Sequence, residues 1–532
     1  MSDIAHPGDI PAAPVNEDAR LADLGYRPQL NRVLGFFENF AVGFTYLSPM
    51  VGIYSLFILG VALGGPAYIW LTFVPLIGML FVALVFGELA SHYPVAGALY
   101  QYSKFSAGPA YGWFVGWFYG IALLVTVAAV DTGSIPYITT LAHNWFGTNW
   151  NPASHTTILI ITLVLLGIQT SLNIAGAKVM GRVAQFGVGV EILGTLGIAL
   201  ILAIHGFHHS LGFLFSTQGV THASTNVYGV GFGGSWLSAA LIAVLAPVYI
   251  FYGFESCGDI AEETKDAGTK IPKAMRWALI WGGVGSFILT AALLLAMPKH
   301  DPIKSTVAGG VPGILGQLSS GMQDFLLVLI IFAFFSCGSA VQGAGSRLAF
   351  SFGRDGALPG SGWISRVHAK FRTPVNALIT GALVSVLFVM LVYYQPSKDV
   401  HVWFVTYPAK TTALYSLVSF GVSGIYLSFL LTVLAAMIAR ARGWVPEGAF
   451  KLGRWGWTVC IIAALYLGLM LLNVVVPTGL TSGRGLFNLD WITLVVMVVI
   501  AVVGAVYFLI ARPDRKVGEH VHDTLEPTGA ER

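Results

Sequence analysis

The chain has 532 residues, of which 28 are Lys or Arg and 25 Asp or Glu, so 10% are charged where a soluble protein carries about 25%. Hydrophobic residues make up 56%, and mean hydropathy is +0.75. Polar surface is therefore too scarce to cover water-exposed domains, which excludes an ordinary soluble enzyme and makes lipid the solvent. A net charge of +3 gives no basis for nucleic-acid binding. Cys257, Cys337 and Cys460 lie within or beside apolar runs, and neither a disulfide framework nor a zinc site follows from them. No cofactor is expected.

In chain order, residues 1–33 mix acidic, basic and proline residues without a continuous apolar stretch. They read as a polar tail, not as a cleavable signal. Twelve apolar runs follow, at about 34–61, 67–90, 109–141, 155–175, 179–204, 236–258, 274–297, 322–350, 375–394, 411–438, 456–476 and 489–511. Each is long enough to supply the roughly 20 helical residues that cross a bilayer core. Residues 513–532 form a second polar tail. Of the 28 basic residues, 23 fall on the side of the amino terminus and 5 on the other. Lys and Arg are retained on the cytoplasmic side, so both termini are expected there, in a multi-pass protein of the cytoplasmic membrane.

The first run is too long for one straight crossing and carries Ser48-Pro49-Met50-Val51-Gly52 near its middle. Proline removes a donor there and glycine weakens the helix. Five runs later, Pro247 and then Phe251-Tyr252-Gly253-Phe254-Glu255-Ser256 interrupt the sixth. Paired breaks at the start of two five-helix halves point to an inverted-repeat transporter with its site at mid-membrane. Two unrelated kinks would give the same local pattern.

The expected fold is thus all-α and polytopic, with twelve transmembrane helices in a five-plus-five inverted-repeat core and two accessory helices. Its parts are 34–204, 205–438 and 439–512, flanked by the tails. At such breaks, unpaired N–H groups of one half face unpaired carbonyls of the other. Val51, Gly52 and Ile53 are expected to donate to an anion such as a carboxylate, and the carbonyls around Tyr46, Leu47 and Ile250 to receive an ammonium. Tyr249, Tyr252 and Phe254 flank the second break, either closing over a substrate or packing as ordinary aromatics.

Ionisable groups within spans cost roughly 2.5–3.5 kcal/mol at the centre and need a reason. Glu191 shares a helix face with Ala184, Gly187, Gly194 and Thr195, small residues that let another helix approach, so it is expected to look inward. A desolvated carboxylate holds its proton more tightly than one in water. Glu191 therefore reads as a proton carrier or as a hydrogen-bond partner for another helix. Asp131 and Glu255 are candidates of the same kind; Glu88, at a helix end, reads as structural.

The fourfold-spaced Gly108, Gly112, Gly116 and Gly120 read as a close-packing face. Gly229, Gly231 and Gly234 match G-x-G-x-x-G, but no strand precedes them, so a nucleotide loop is rejected. His205, His208, His209 and His222 read as solvated loop histidines.

Three ordered signatures resemble the amino acid, polyamine and organocation (APC) superfamily of permeases. Gly87-Glu88-Leu89-Ala90, Tyr93-Pro94-Val95-Ala96-Gly97-Ala98-Leu99-Tyr100 and Gly116-Trp117 look like its second-to-third-helix region. Ala261-Glu262-Glu263-Thr264 with Ile271-Pro272-Lys273-Ala274 looks like its loop after the sixth helix. Ser346-Arg347, Gly353-Arg354-Asp355-Gly356-Ala357-Leu358-Pro359 and Thr373-Pro374 look like its loop after the eighth. The likeness spans residues 34 to about 390.

It implies alternating access and a substrate held between the first and sixth helices. Ser48, Met50, Val51, Gly52 and Ile53 match one family break, and Tyr249, Ile250, Tyr252, Gly253, Phe254 and Glu255 the other. The first break departs from the family in lacking a Gly-Ser-Gly run. Glu191 stands where relatives often carry a basic residue in place of a bound sodium ion. Ser336 and Ser339 offer hydroxyl ligands, which leaves sodium open beside the proton.

The reading is a secondary transporter of an amino acid or related amine, coupled to protons. A non-transporting sensor of the same fold is the alternative. A membrane transferase is disfavoured, because no convergent acid, base and metal set is present.

Overall fold

Several helix boundaries in this chain fall at glycine or proline, as at Pro49, Gly65, Gly108 and Gly147. The computed structural model describes residues 17–222, 235–392, 400–402, 405–407, 413–476 and 491–516. A short α1 (Glu17–Asp23) precedes the first predicted span, which is two helices, α2 (Phe36–Leu47) and α3 (Pro49–Gly64). Next come α4 (Phe73–His92), the short α5 (Ala98–Ala107) and α6 (Pro109–Phe146). Gly108, at φ +108°, turns the chain between α5 and α6, and Pro109 starts α6 where no N–H is needed.

After α7 (His155–Ile174) and α8 (Ala177–His205), the sixth predicted span is in pieces: α9 (Trp236–Ala243), α10 (Leu245–Val248) and α11 (Ser256–Asp259). The remainder is α12 (Ala267–Leu295), α13 (Pro302–Leu315, bent at Gly310), α14 (Ser320–Arg354), α15 (Ser361–Ile364), α16 (Val375–Val392), α17 (Ala413–Ala441), α18 (Gly456–Val475) and α19 (Ile492–Ala511).

Among the described residues, ten helical stretches are long and apolar enough to cross a membrane. Two shorter apolar helices, Trp236–Val248 and Val375–Met390, stand at the sixth and ninth predicted spans. The chain is an all-α, polytopic membrane protein apart from a small antiparallel ribbon, β1 (Val400–Val402) with β2 (Val405–Tyr407). Gly229, Gly231 and Gly234, with the outer parts of both tails, lie outside the described residues.

Burial separates inner from outer helices. In the apolar window of Phe36–Gly64, 89% of residues are buried, against 6% in α19; α2 and α3 thus form the centre. The periphery exposes apolar rows at helical spacing, such as Leu193, Leu196 and Leu200 on α8 and Leu465, Leu469 and Leu472 on α18, a surface suited to lipid and not to water.

Of the four glycines expected to form a close-packing face, Gly112 and Gly116 pack closely. A Cβ at Gly112 would lie 2.6 Å from the Lys104 Cα, and one at Gly116 would overlap the Phe352 ring. Gly108 and Gly120 are less crowded. The amino-terminal segment departs from its polar reading, because Leu21, Tyr26 and Leu30 are buried. Leu21 and Tyr26 pack with Val95, and Leu30 with Ala96 and Phe350.

The three signatures of the basic face meet one another. Arg347 grips both oxygens of Glu263 at 3.0 and 3.2 Å, and Arg354 grips both of Glu262 at 2.9 and 3.1 Å. Glu262 also accepts the Ala96 N–H at 3.1 Å. Lys104 pairs with Asp355 at 2.7 Å, and Tyr100 donates to the same carboxylate at 2.6 Å. Tyr26 donates to Asp355 at 2.9 Å, with the Arg354 guanidinium 4.0 Å from its ring centre. Glu88, as expected, is structural: it pairs with Arg440 and accepts the Leu452 N–H at 2.8 Å. Planar guanidinium forks suit such two-point grips.

Burial pushes the Asp355 carboxyl upward, but the Lys104 and Arg354 charges, with hydrogen bonds from Lys104 and Tyr100, hold it below its ordinary value. A depressed carboxyl stabilises the fold fully above its unfolded value, about 3.9, and loses that contribution as pH falls through the lower folded value. Asp355→Asn is expected to destabilise the protein by about 3–5 kcal/mol at neutral pH. Thermal unfolding in detergent should show a gap to wild type that is constant above about pH 5 and narrows only below about pH 4.

Candidate functional site

Chain geometry at the first break comes from Ser48, whose backbone (φ 37°, ψ 91°) leaves the helical region between α2 and α3. Pro49 then restarts the helix. The exposed N–H groups of the new helix end are met from within the chain. Ser48 Oγ accepts the Val51 N–H at 3.2 Å, the Ser48 carbonyl accepts that of Gly52 at 3.1 Å, and Glu191 Oε2 accepts that of Met50 at 3.2 Å. Ser48 Oγ in turn donates to Glu191 Oε1. The expectation that Val51 and Gly52 present free donors is thus corrected: in this conformation Ser48 caps them, and the acidic side chain at the helix end is Glu191.

Glu191 is 1% exposed and faces inward as its neighbours predicted. The Thr45 hydroxyl donates to the Ala184 carbonyl at 3.1 Å, and a Cβ at Gly187 would lie 2.9 Å from Ser336 Oγ. Small residues therefore bring α8 against α2 and α14, which places the carboxylate at the break.

The second break, residues 249–255, lies against the first. Gly253 has φ +109°, and a Cβ there would stand 2.7 Å from the Leu47 nitrogen and 2.9 Å from the Tyr46 carbonyl carbon. A Cβ at Gly52 would stand 3.1 Å from the Ile250 Cα. Each break thus carries a glycine where the backbone of the other arrives. The Gly253 N–H donates to Glu255 Oε2 at 2.7 Å, and Tyr119 donates toward Glu255 Oε1 at 3.4 Å.

Between the breaks is room for about one water molecule, a cavity of ≈ 10 Å³. Of the residues singled out from sequence, Val51, Gly52, Tyr249 and Tyr252 line it, with Tyr46 and Leu47. The Tyr252 ring stands edge-on to Tyr46 at 6.0 Å and to Tyr249 at 5.7 Å. Ser48, Met50, Ile53, Ile250 and Gly253 build the breaks without lining this cavity. Phe254 turns away and packs against Phe86 and Phe429, which corrects its expected place beside a substrate. The Tyr46 carbonyl, expected to face an ammonium, accepts from the Cys337 thiol at 3.2 Å.

Thr126, Val130 and Cys337 also line the cavity. Sequence reasoning missed them, since no local pattern says which face of α6 or α14 turns inward. Asp131 is buried elsewhere: Gln169 donates to it at 2.8 Å across α6 and α7. It contacts neither Glu191 nor Glu255. The sodium candidates are engaged within the chain, Ser336 donating to the Ala333 carbonyl at 3.1 Å and Ser339 Oγ accepting from Asn173 at 3.2 Å. His208 meets Gln317 at 2.8 Å and His209 stacks on Phe213; among the described residues no His, Cys, Asp and Glu group is placed to hold a metal.

A larger cavity of ≈ 850 Å³ begins at Tyr54, Ser55, Thr132 and Tyr137 and extends to Gly309, Gly310 and the 148–153 loop. Its floor, at Tyr54 and Ser55, lies just past Gly52 in the first half of α3.

A family profile described as amino acid permease matches residues 34–512, which covers both breaks and all three signatures. The chain belongs to the amino acid permease family of the APC superfamily. This permease is similar to the amino-acid permease BAT1 of Arabidopsis thaliana, at 25% identity over 86% of this chain and 89% of the relative. It is also similar to the thiamine transporter thi9 of Schizosaccharomyces pombe, at 26% over 86% and 80%. Its likeness to the low-affinity putrescine importer PlaP of Escherichia coli is 27% over 67% and 74%. Family membership makes the chain a transport protein and not an enzyme.

Gly253→Ala is expected to lower permease stability by about 2 kcal/mol or more, combining the left-handed backbone with overlap at the Leu47 nitrogen. Gly120→Ala, whose Cβ would meet only Leu348 Cδ2 at 3.5 Å, should change it little. Side-by-side thermal unfolding of the two variants in detergent checks the contrast.

Proposed function

We propose that this permease is a secondary active transporter of an amino acid or related amine across the cytoplasmic membrane, coupled to protons and working by alternating access. The observation that carries the proposal is the Glu191 carboxylate, reaching from α8 to hold Ser48 and the Met50 N–H at the break in α3. Ionised, Glu191 is itself the anion at that helix end, the position a substrate carboxylate would take. Protonated, it no longer competes for the helix dipole, and the break is released to a substrate. One proton on one residue thereby couples to the geometry of the site.

The remaining mechanism follows from the same arrangement. The twelve spans form two inverted five-helix repeats, 34–204 and 205–438, with two accessory helices in 439–512 and both termini in the cytoplasm. The two breaks rock against the scaffold. Support comes from the ≈ 850 Å³ cavity opening away from the basic face, while ion pairs among the three signatures close that face. A relative named for putrescine and the absence of any buried cation beside the breaks among the described residues support an amine cargo over an acidic one.

Uptake of neutral amino acids and 1,4-diaminobutane into proteoliposomes tests this. An imposed proton gradient is expected to drive accumulation of cargo by the wild type, and Glu191→Gln to lose the dependence while retaining counterflow. Uptake indifferent to the proton gradient in both proteins, or one that follows sodium instead, would sink the coupling. Lack of counterflow with every cargo would leave the sensor reading.

A further inference from the structure

At the end of α4, one imidazole holds together segments that are far apart in the chain. His92 Nδ1 accepts the Glu447 N–H at 3.0 Å and stands 3.2 Å from Arg20 Nη2, while the His92 carbonyl accepts from Arg20 Nε at 3.0 Å. The Trp444 indole nitrogen stands 3.3 Å from Nε2, its ring edge-on to the imidazole. Both α1 and the 444–447 stretch that follows α17 are thereby fastened to α4. The three polar groups on the ring are all donors. A guanidinium, a peptide N–H and an indole N–H have no lone pair to offer a ring proton. Nδ1, which meets two of them, is therefore the acceptor, and the ring here is neutral.

Few charges lie in range of it. Arg20 comes from α1, and Glu447 and Lys451 from the stretch between α17 and α18. The last two are exposed, so solvent screens them. Glu88, one turn earlier on α4, is paired with Arg440 of α17, and the Tyr93 ring stands edge-on to the imidazole at 4.4 Å. A proton on Nδ1 would face the Arg20 guanidinium and displace both donors.

The strap formed by residues 17–30 depends on this contact. Its Leu21 and Tyr26 are buried against Val95. Tyr26 donates to Asp355 and accepts from Lys104 at the ion-paired face. Beyond the strap, the Val33 and Leu34 N–H groups donate to the Glu263 carbonyl at 3.0 and 2.9 Å, just before α2. The chain thus runs from the end of α4 across the paired charges to the half-helix of the first break.

We propose that His92 is an acid-sensitive clasp: neutral, it fastens the strap over the paired charges, and protonated, it lets α1 and the strap go. Imidazole is the side chain whose charge ordinarily changes between pH 5 and 8. Closed, the clasp accepts only the neutral ring; released, the ring meets water and titrates near about 6.5. Closure is therefore at full strength above about pH 6.5 and weakens about tenfold for each unit below it. Release takes Tyr26 from Asp355 and loosens the closed face. The source of the signal rests on the proposed proton import and cytoplasmic placing of this face: the strap is then released by acid that the permease itself brings in.

Hydrogen–deuterium exchange of the purified full-length protein in detergent, at about pH 7.5 and about pH 5.5, tests the clasp. Comparing proteins at the same pH removes the intrinsic pH dependence of exchange. His92→Asn keeps an acceptor near the Nδ1 position and takes up no proton, whereas His92→Lys is charged at both values. Amide exchange across 17–30 is expected to be alike in wild type and His92→Asn at the higher pH, and about tenfold faster in wild type at the lower. His92→Lys should be fast at both. If the His92 variants do not fold, Arg20→Gln, confined to the strap, sets the released rate, which wild type should approach only at the lower pH. Wild type that keeps the same ratio to His92→Asn, or to Arg20→Gln, at both pH values overturns the clasp. Such a result leaves proton-coupled transport standing, because it is read without cargo or gradient.

Discussion

A peptide N–H or carbonyl that leaves helical pairing inside a bilayer has no water to turn to, and every other feature of this permease's centre answers that constraint. At the first break the answer comes from Ser48 and Glu191, which cap the restarted helix from the residue just before it and from α8. At the second, Glu255 turns back on the Gly253 N–H. Each break thus has one backbone N–H held by an acidic side chain, Met50 by Glu191 and Gly253 by Glu255.

Close approach is the second consequence. Two broken backbones can face one another across a single-water cavity only if side chains are absent where they meet, and Gly52 and Gly253 supply that absence reciprocally. Their part is to let the Tyr46–Leu47 and Ile250 backbones come within reach, after which Tyr46, Tyr249 and Tyr252 close the space with edge-on rings.

At the basic face the constraint is met by full pairing. Glu262, Glu263 and Asp355 come from loops far apart in sequence and are joined to Arg354, Arg347 and Lys104. Paired charges in a buried setting add little net stability but are costly to separate.

Both breaks were legible in the sequence, because proline and glycine act on the backbone locally and no packing can hide them. So was the inward direction of Glu191, since a carboxylate beside Ala184, Gly187 and Gly194 has one tolerable face. The three signatures were visible as motifs, but not that they grip one another, nor that Tyr26 and Lys104 join them from segments read as tail and loop. Phe254 shows the limit most clearly: its place beside the break was correct and its side chain's direction was not, because rotation about a non-helical segment is settled by what else fills the core. The turning of Thr126, Val130 and Cys337 into the cavity likewise depends on contacts between helices over a hundred residues apart. What the sequence by itself determined was where backbone pairing fails and which charges enter the membrane; only the tertiary structure decided which groups satisfy them, because that choice is made by neighbours in space.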